Sequence, residues 1–131
     1  MSEAGSVGSK GRPYRTVEVD GFTVLIGRSD EENDLLTFDV AEPHDVWMHV
    51  AGYSGSHVVI RNPERLPAVP EPVLRRTAEL AAWFSKGRAA KRVEVHVCRA
   101  RDVSKPPGFP AGKVLLAHWT RLRVEPRPLD A

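Results

Sequence analysis

The stretch Asp45-Val-Trp-Met-His-Val-Ala-Gly-Tyr-Ser-Gly-Ser-His-Val-Val-Ile60 decides how this chain is read. Two apolar, alternating runs flank a glycine-rich turn, which is the pattern of two paired strands. Successive strand residues face opposite ways, so Asp45, Trp47 and His49 share one face while Val46, Met48 and Val50 share the other. A face holding an acid, an indole and an imidazole is an unusual core face. Two readings fit it: a half-buried hairpin with one satisfied histidine, or a functional surface.

Outward from this stretch the chain reads as a single α+β domain, a mixed, mostly antiparallel sheet with about two helices packed on it. Val17 and Val19, then Phe22, Val24 and Ile26, alternate around Asp20-Gly21, a strong hairpin signal. Ser29 followed by Glu32 forms a capping box that predicts a short helix from about Asp30 to Phe38, with Leu35, Leu36 and Phe38 inward. Strands follow near 46–51 and 56–61. The four prolines of Asn62-Pro-Glu-Arg-Leu-Pro-Ala-Val-Pro-Glu-Pro72 demand a loop. Pro72 suits the first turn of a second helix and Gly87 its C′ position, with Val73, Thr77, Leu80, Ala81 and Phe84 on the inner stripe. From Arg92 to Cys98, Val93, Val95 and Val97 alternate with Arg92, Glu94, His96 and Cys98. Lys105 to Gly112 reads as a rigid loop, and two more strands are expected near 113–117 and 119–125. Residues 1–13 read as a disordered tail, 14–126 as the domain, and 127–131 as a second tail.

Composition narrows the function classes. No apolar run approaches the roughly 20 residues of a membrane helix, and the start of the chain has no apolar stretch of a secretory signal. The single cysteine, Cys98, excludes an intrachain disulfide and a cysteine-based zinc site, and it fits a reducing cytoplasm. Net charge is +2, but residues 18–45 hold nine acids and one base, Arg28, whereas residues 84–127 hold eleven bases and three acids. A half this basic attracts phosphate backbones, although an ordinary solvated surface gives the same count. His44, Asp45, His49 and His57 are metal-ligand types, but they show no recognised zinc or iron spacing. Ser56 and His57 are strand neighbours that face apart, which disfavours a nucleophile–base pair.

Four motifs in order carry a resemblance: Gly27-Arg-Ser-Asp-Glu-Glu-Asn-Asp34; Asp45-x-Trp-x-His49 with Gly55-Ser-His57; the Ala78-to-Arg88 helix; and Val103-Ser-Lys-Pro-Pro-Gly-Phe-Pro-Ala-Gly-Lys113. Together they resemble the NFACT-R domain, the RNA-binding domain at the C-terminal side of NFACT proteins, which act in ribosome-associated quality control. The resemblance spans about Tyr14 to Pro126. Full NFACT proteins carry further domains for which these 131 residues leave no room. What it implies is therefore the binding activity of the module: a non-catalytic, cytoplasmic RNA-binding unit for tRNA or rRNA, with the ribosome as a further partner and with no cofactor, metal or membrane.

The positions matching the family's signatures are Arg28, Asn33, Asp34, Asp45, Trp47, His49, Ser56, His57, Lys105 and Lys113, and the resemblance implies that these contact RNA. Lysine and arginine would bind phosphates. Trp47 would stack on an unpaired base if exposed, and otherwise belongs to the core. Asp45 would accept from base amino groups, and His49 and His57 would stack or donate. Arg28 either contacts RNA or bridges Asp34 or Asp45. Two other classes remain open: a small hydrolase using Asp45, His49 and His57 as a metal or acid–base cluster, and a module that docks on a protein.

Overall fold

The structure, a computed structural model, describes residues 14–130. The expected tail over 1–13 and Ala131 lie outside the described residues.

The Asp20-Gly21 signal gives a two-residue hairpin between β1 (Arg15–Val19) and β2 (Phe22–Ile26). Both turn residues have positive φ, 49° and 87°, as this tight turn requires. Then come α1 (Asp30–Asp34), a π-helical segment (Leu35–Val40), β3 (Val46–Val50), β4 (Val58–Ile60), α2 (Glu71–Trp83), β5 (Val93–Arg99), β6 (Val103–Ser104), β7 (Leu115–Leu116) and β8 (Thr120–Val124). Six strands form one sheet in the order β1-β2-β4-β3-β5-β8, and every pair in it is antiparallel; β6 and β7 form a separate ribbon. The fold is α+β, as the pattern indicates.

The period of two sorts the sheet into two faces. Val46, Met48 and Val50 of β3 join Val58 and Ile60, Val93 and Val95, Val17 and Val24 in one core, covered by Val73, Ala78, Leu80, Ala81 and Ala82 of α2. The alanines let the helix approach closely, and burial at about 25 cal/mol per Å² holds it there. Leu25, Trp47, Val59 and Cys98 face the other way and are covered by Leu36 of the π segment and Val103 of the ribbon.

Three expectations change. The first helix keeps its cap, since Ser29 Oγ accepts from Glu32 N at 3.1 Å. It then widens after Asp34, where Ala41 N bonds Leu36 O five residues back. The wider turn brings Thr37 inward and leaves Phe38 40% exposed. α2 stops at Trp83, because Ser85 Oγ donates to Ala82 O and accepts from Gly87 N, turning the chain away. Gly87 is therefore not the helix cap: its missing side chain makes room for the Tyr53 ring, which a Cβ there would meet at 2.7 Å. Lastly, the segment from 127, expected to be a tail, is held to α2 by Arg76, which donates to the carbonyls of Pro128 and Leu129.

Candidate nucleic-acid interface

The motif residues split into a buried frame and a solvent-facing cleft. The frame centres on His57. Trp47 Nε1 donates to Thr37 Oγ1 at 3.0 Å, and Thr37 Oγ1 lies 2.8 Å from His57 Nδ1. On the other side of the ring, His57 Nε2 lies 3.2 Å from the Gly112 carbonyl. One proton arrangement satisfies all of these groups: the indole donates to the hydroxyl, the hydroxyl donates to Nδ1, and Nε2–H donates to the carbonyl. That requires a neutral imidazole. Burial accordingly pushes the His57 pKa down to about 4, with nearby His49 adding to the shift.

Asn33 and Asp34 complete the frame. Asn33 Oδ1 accepts from His57 N at 3.0 Å, and Asp34 Oδ1 accepts from Gly112 N at 3.0 Å. Asp34 Oδ2 pairs with Lys105 Nζ at 3.3 Å, and that ammonium also donates to Pro110 O at 2.6 Å. The Lys105–Gly112 loop is thus pinned onto Asp34 of α1 and onto His57, just before β4. The α1 signature and the late glycine motif meet here, which explains their joint presence.

Several expected RNA contacts are corrected by this geometry. Trp47 is 1% exposed and is a core residue, with its ring edge against His57 at 5.0 Å between centroids. His57 and Asn33 are buried and committed to the frame. Asp45 is buried at the opposite end of β3; it accepts from Asn62 N at 2.7 Å and Glu42 N at 2.9 Å and pairs with Arg61 at 3.0 Å. It fixes the proline-rich loop and has no position from which to accept from a base. Arg28 pairs with Glu32 at 2.9 Å, not with Asp34 or Asp45.

The hydrolase grouping comes apart for the same reason. His49 and His57 are neighbours, 5.3 Å between ring centroids, but Asp45 sits about 13 Å along the strand from His49. Among the described residues, no three His, Cys, Asp or Glu side chains are gathered to hold a metal. Cys98 is buried, and burial followed by the nearby Asp102 pushes its thiol up to about 12, so it stays protonated and unreactive.

What remains open to solvent is a cleft of about 660 Å³ whose lining includes His49, Tyr53, Gly112 and Lys113. A smaller hollow of about 230 Å³ continues from it past Ser54 and Gly55, bordered by Arg28, Ser56 and Lys86. Tyr53 is 42% exposed. Burial, with His96 nearby, holds His49 below the ordinary histidine value. The cleft therefore offers an aromatic ring, a neutral imidazole and two ammonium groups, with Asp30 on the same rim. Thr37, Tyr53 and Lys86 lay outside the sequence-derived site. A hydroxyl among the apolar residues of 35–40 was the available signal for Thr37, and an aromatic between two glycines was the one for Tyr53.

Comparison with known proteins bears directly on this arrangement. The family described as NFACT protein RNA binding domain matches residues 12–118. The protein called Rqc2 homolog RqcH from Streptococcus suis is 39% identical over 116 residues, 88% of this chain and 20% of that protein. Its Bacillus subtilis counterpart is 36% identical over 110 residues, 80% of this chain and 19% of that protein. The chain thus spans about a fifth of the length of these relatives. Among solved structures, the C-terminal part of the fibronectin/fibrinogen-binding protein from Streptococcus suis superposes with a TM-score of 0.80 at 35% identity, covering 92% of this chain and 47% of that one. With the family match covering most of the chain, and Asn33, Trp47, His49 and Gly112 gathered around His57, the chain belongs to the NFACT protein RNA binding domain family.

Proposed function

We propose that this chain is a non-catalytic module that binds tRNA or ribosomal RNA in the cytoplasm, in the setting of ribosome-associated quality control. The observation that carries the reading is the family match over 12–118. The cleft of His49, Tyr53, Lys113 and Lys86 supplies the chemistry that such binding needs. Ammonium groups on the rim bind phosphates without choosing sequence. Tyr53 gives a flat surface for an unpaired base, and His49, neutral at physiological pH, adds a hydrogen-bonding edge. The His57 frame contacts no RNA itself. It fixes the loop that carries Lys113 and the strand that carries His49. Of the motif residues, His49 and Lys113, which line the cleft, and Ser56, which borders its hollow, are the ones this reading gives direct contact with RNA.

The test is an equilibrium titration with total tRNA and with ribosomal RNA fragments. The Lys86→Ala/Lys113→Ala pair should weaken binding by about tenfold or more with an unchanged melting temperature. No binding by the parent protein at low salt would refute the reading. A second reading, docking on a protein, draws on the name of the structural neighbour. Titration against fibronectin in parallel distinguishes it.

A further inference from the structure

Among the described residues, the face of the sheet opposite α2 is only partly covered. The π segment and the β6–β7 ribbon lie over Leu25, Trp47, Val59 and Cys98. The outer strands β5 and β8 carry a different set on that same face. His96 pairs across the sheet with His49 on one side and Arg121 on the other, and Glu94 pairs with Arg123. Cross-strand partners share a face, so His49, His96 and Arg121 form one transverse row. Trp119, just before β8, lays its indole on His96 with ring centroids 4.2 Å apart. It is 39% exposed. The Arg121 guanidinium sits 5.3 Å from the indole centroid and its side chain is 60% exposed.

We propose that His96, Trp119, Arg121 and Arg123 form a second nucleic-acid contact, which takes unpaired nucleotides of a single-stranded RNA segment on the open outer half of the sheet. The proposal rests on the RNA-binding reading and extends it to a surface outside the cleft and outside the family's signature motifs. A half-exposed indole flanked by an imidazole and a guanidinium is a stacking platform, because each base presents a π-face to it. Arg121 and Arg123 lie two positions apart on a strand that is the sheet edge among the described residues, at a spacing of about 7 Å, close to the phosphate repeat of an extended strand. Glu94 pairs with His96 at 3.2 Å and lies 3.7 Å from Arg121. It braces the two side chains and leaves the arginine largely in solvent. Through His49, the row runs from this platform to the cleft, so one strand of RNA can cross both.

The experiment uses the full chain and a fluorescein-labelled twelve-nucleotide oligouridine, with total tRNA in parallel. Trp119→Ala should weaken oligouridine binding by about tenfold. Trp119→Phe should recover most of it, and Arg121→Ala/Arg123→Ala should weaken it and flatten its salt dependence. Melting temperatures should stay within a few degrees of the parent for all three. A 4-thiouridine version of the probe should crosslink to the peptide containing Trp119. If Trp119→Ala and the arginine pair leave both affinities within twofold while Lys86→Ala/Lys113→Ala weakens them, the platform is refuted and the RNA function stands. If the parent binds neither RNA at low salt, both fall. If the Trp119 variant keeps its RNA affinity but loses retention on ribosomal proteins freed of RNA, the face docks protein and the proposal is wrong.

Discussion

His57 is held neutral by burial, and that makes the fold sensitive to acid. Its folded pKa, about 4, lies below the ordinary value of 6.5. The unfolded chain therefore binds a proton more readily between those values, and stability falls as the pH drops through that window. Above about 6.5 the histidine contributes no slope. The full loss is about 3 kcal/mol by the time the pH reaches 4. Urea unfolding at pH 7.5, 6 and 5 should show a steeper decline for the parent than for His57→Gln, and parallel declines would contradict the neutral frame. Trp47→Ala should cost about 3–5 kcal/mol, as for any large buried ring, with RNA affinity per folded molecule preserved. Trp47→Phe keeps most of the packing and removes the donor to Thr37, at about 1–2 kcal/mol. At this scale the sequence was ambiguous for a physical reason. An indole and an imidazole on one strand face look the same whether they await a ligand or satisfy each other, and the deciding partner, Thr37, comes from a separate element.

Elements were more legible than their ends. The hairpin at Asp20-Gly21, the Ser29 cap and the valine alternation of β5 are local signals, and each appears where the pattern places it. The widening over Leu35–Val40 goes with the contacts of Thr37 to Trp47 and His57 on other elements, and the early stop of α2 with the Ser85 hydroxyl bonding Ala82 and Gly87; periodicity encodes neither. Two substitutions probe elements. Thr77 is fully buried in α2, and its hydroxyl finds no hydrogen-bond partner among the described residues. Thr77→Val should stabilise the protein by about 1 kcal/mol in a denaturant titration, because it removes an unsatisfied polar group at nearly constant shape. Gly112 has φ of 84°, and a Cβ there would meet Asp30 Oδ1 at 2.7 Å. Gly112→Ala should cost about 1–2 kcal/mol and displace the loop. RNA affinity should then fall further than the small population of unfolded protein explains, and equal affinity would detach the loop from binding.

Across the whole molecule the basic half does not act as one patch. Arg99 is spent on the carbonyls of His44, Leu66 and Pro67, and Lys105 on Asp34 and its own loop. Of the exposed bases in that half, Lys86 and Lys113 border the cleft, Arg121 and Arg123 lie on β8, and Arg88, Lys91, Arg92, Arg101 and Arg127 lie outside both. Roughly 4–6 phosphate contacts should give a slope of log K against log salt of about −3 to −5, and a flat response between 50 and 300 mM salt would rule out phosphate contact. The loop from Lys105 to Gly112 is tied down chiefly by polar links to partners far away in sequence: His57 lies 55 positions from Gly112, and Asp34 lies 78. Such a segment opens locally long before the sheet does. In hydrogen-exchange measurements the Gly112 amide should therefore exchange well ahead of the amides of β3 and β4, and bound RNA should slow it. The strap that positions Lys113 would then also be the part that lifts to let a strand in, while the valine core beneath stays shut.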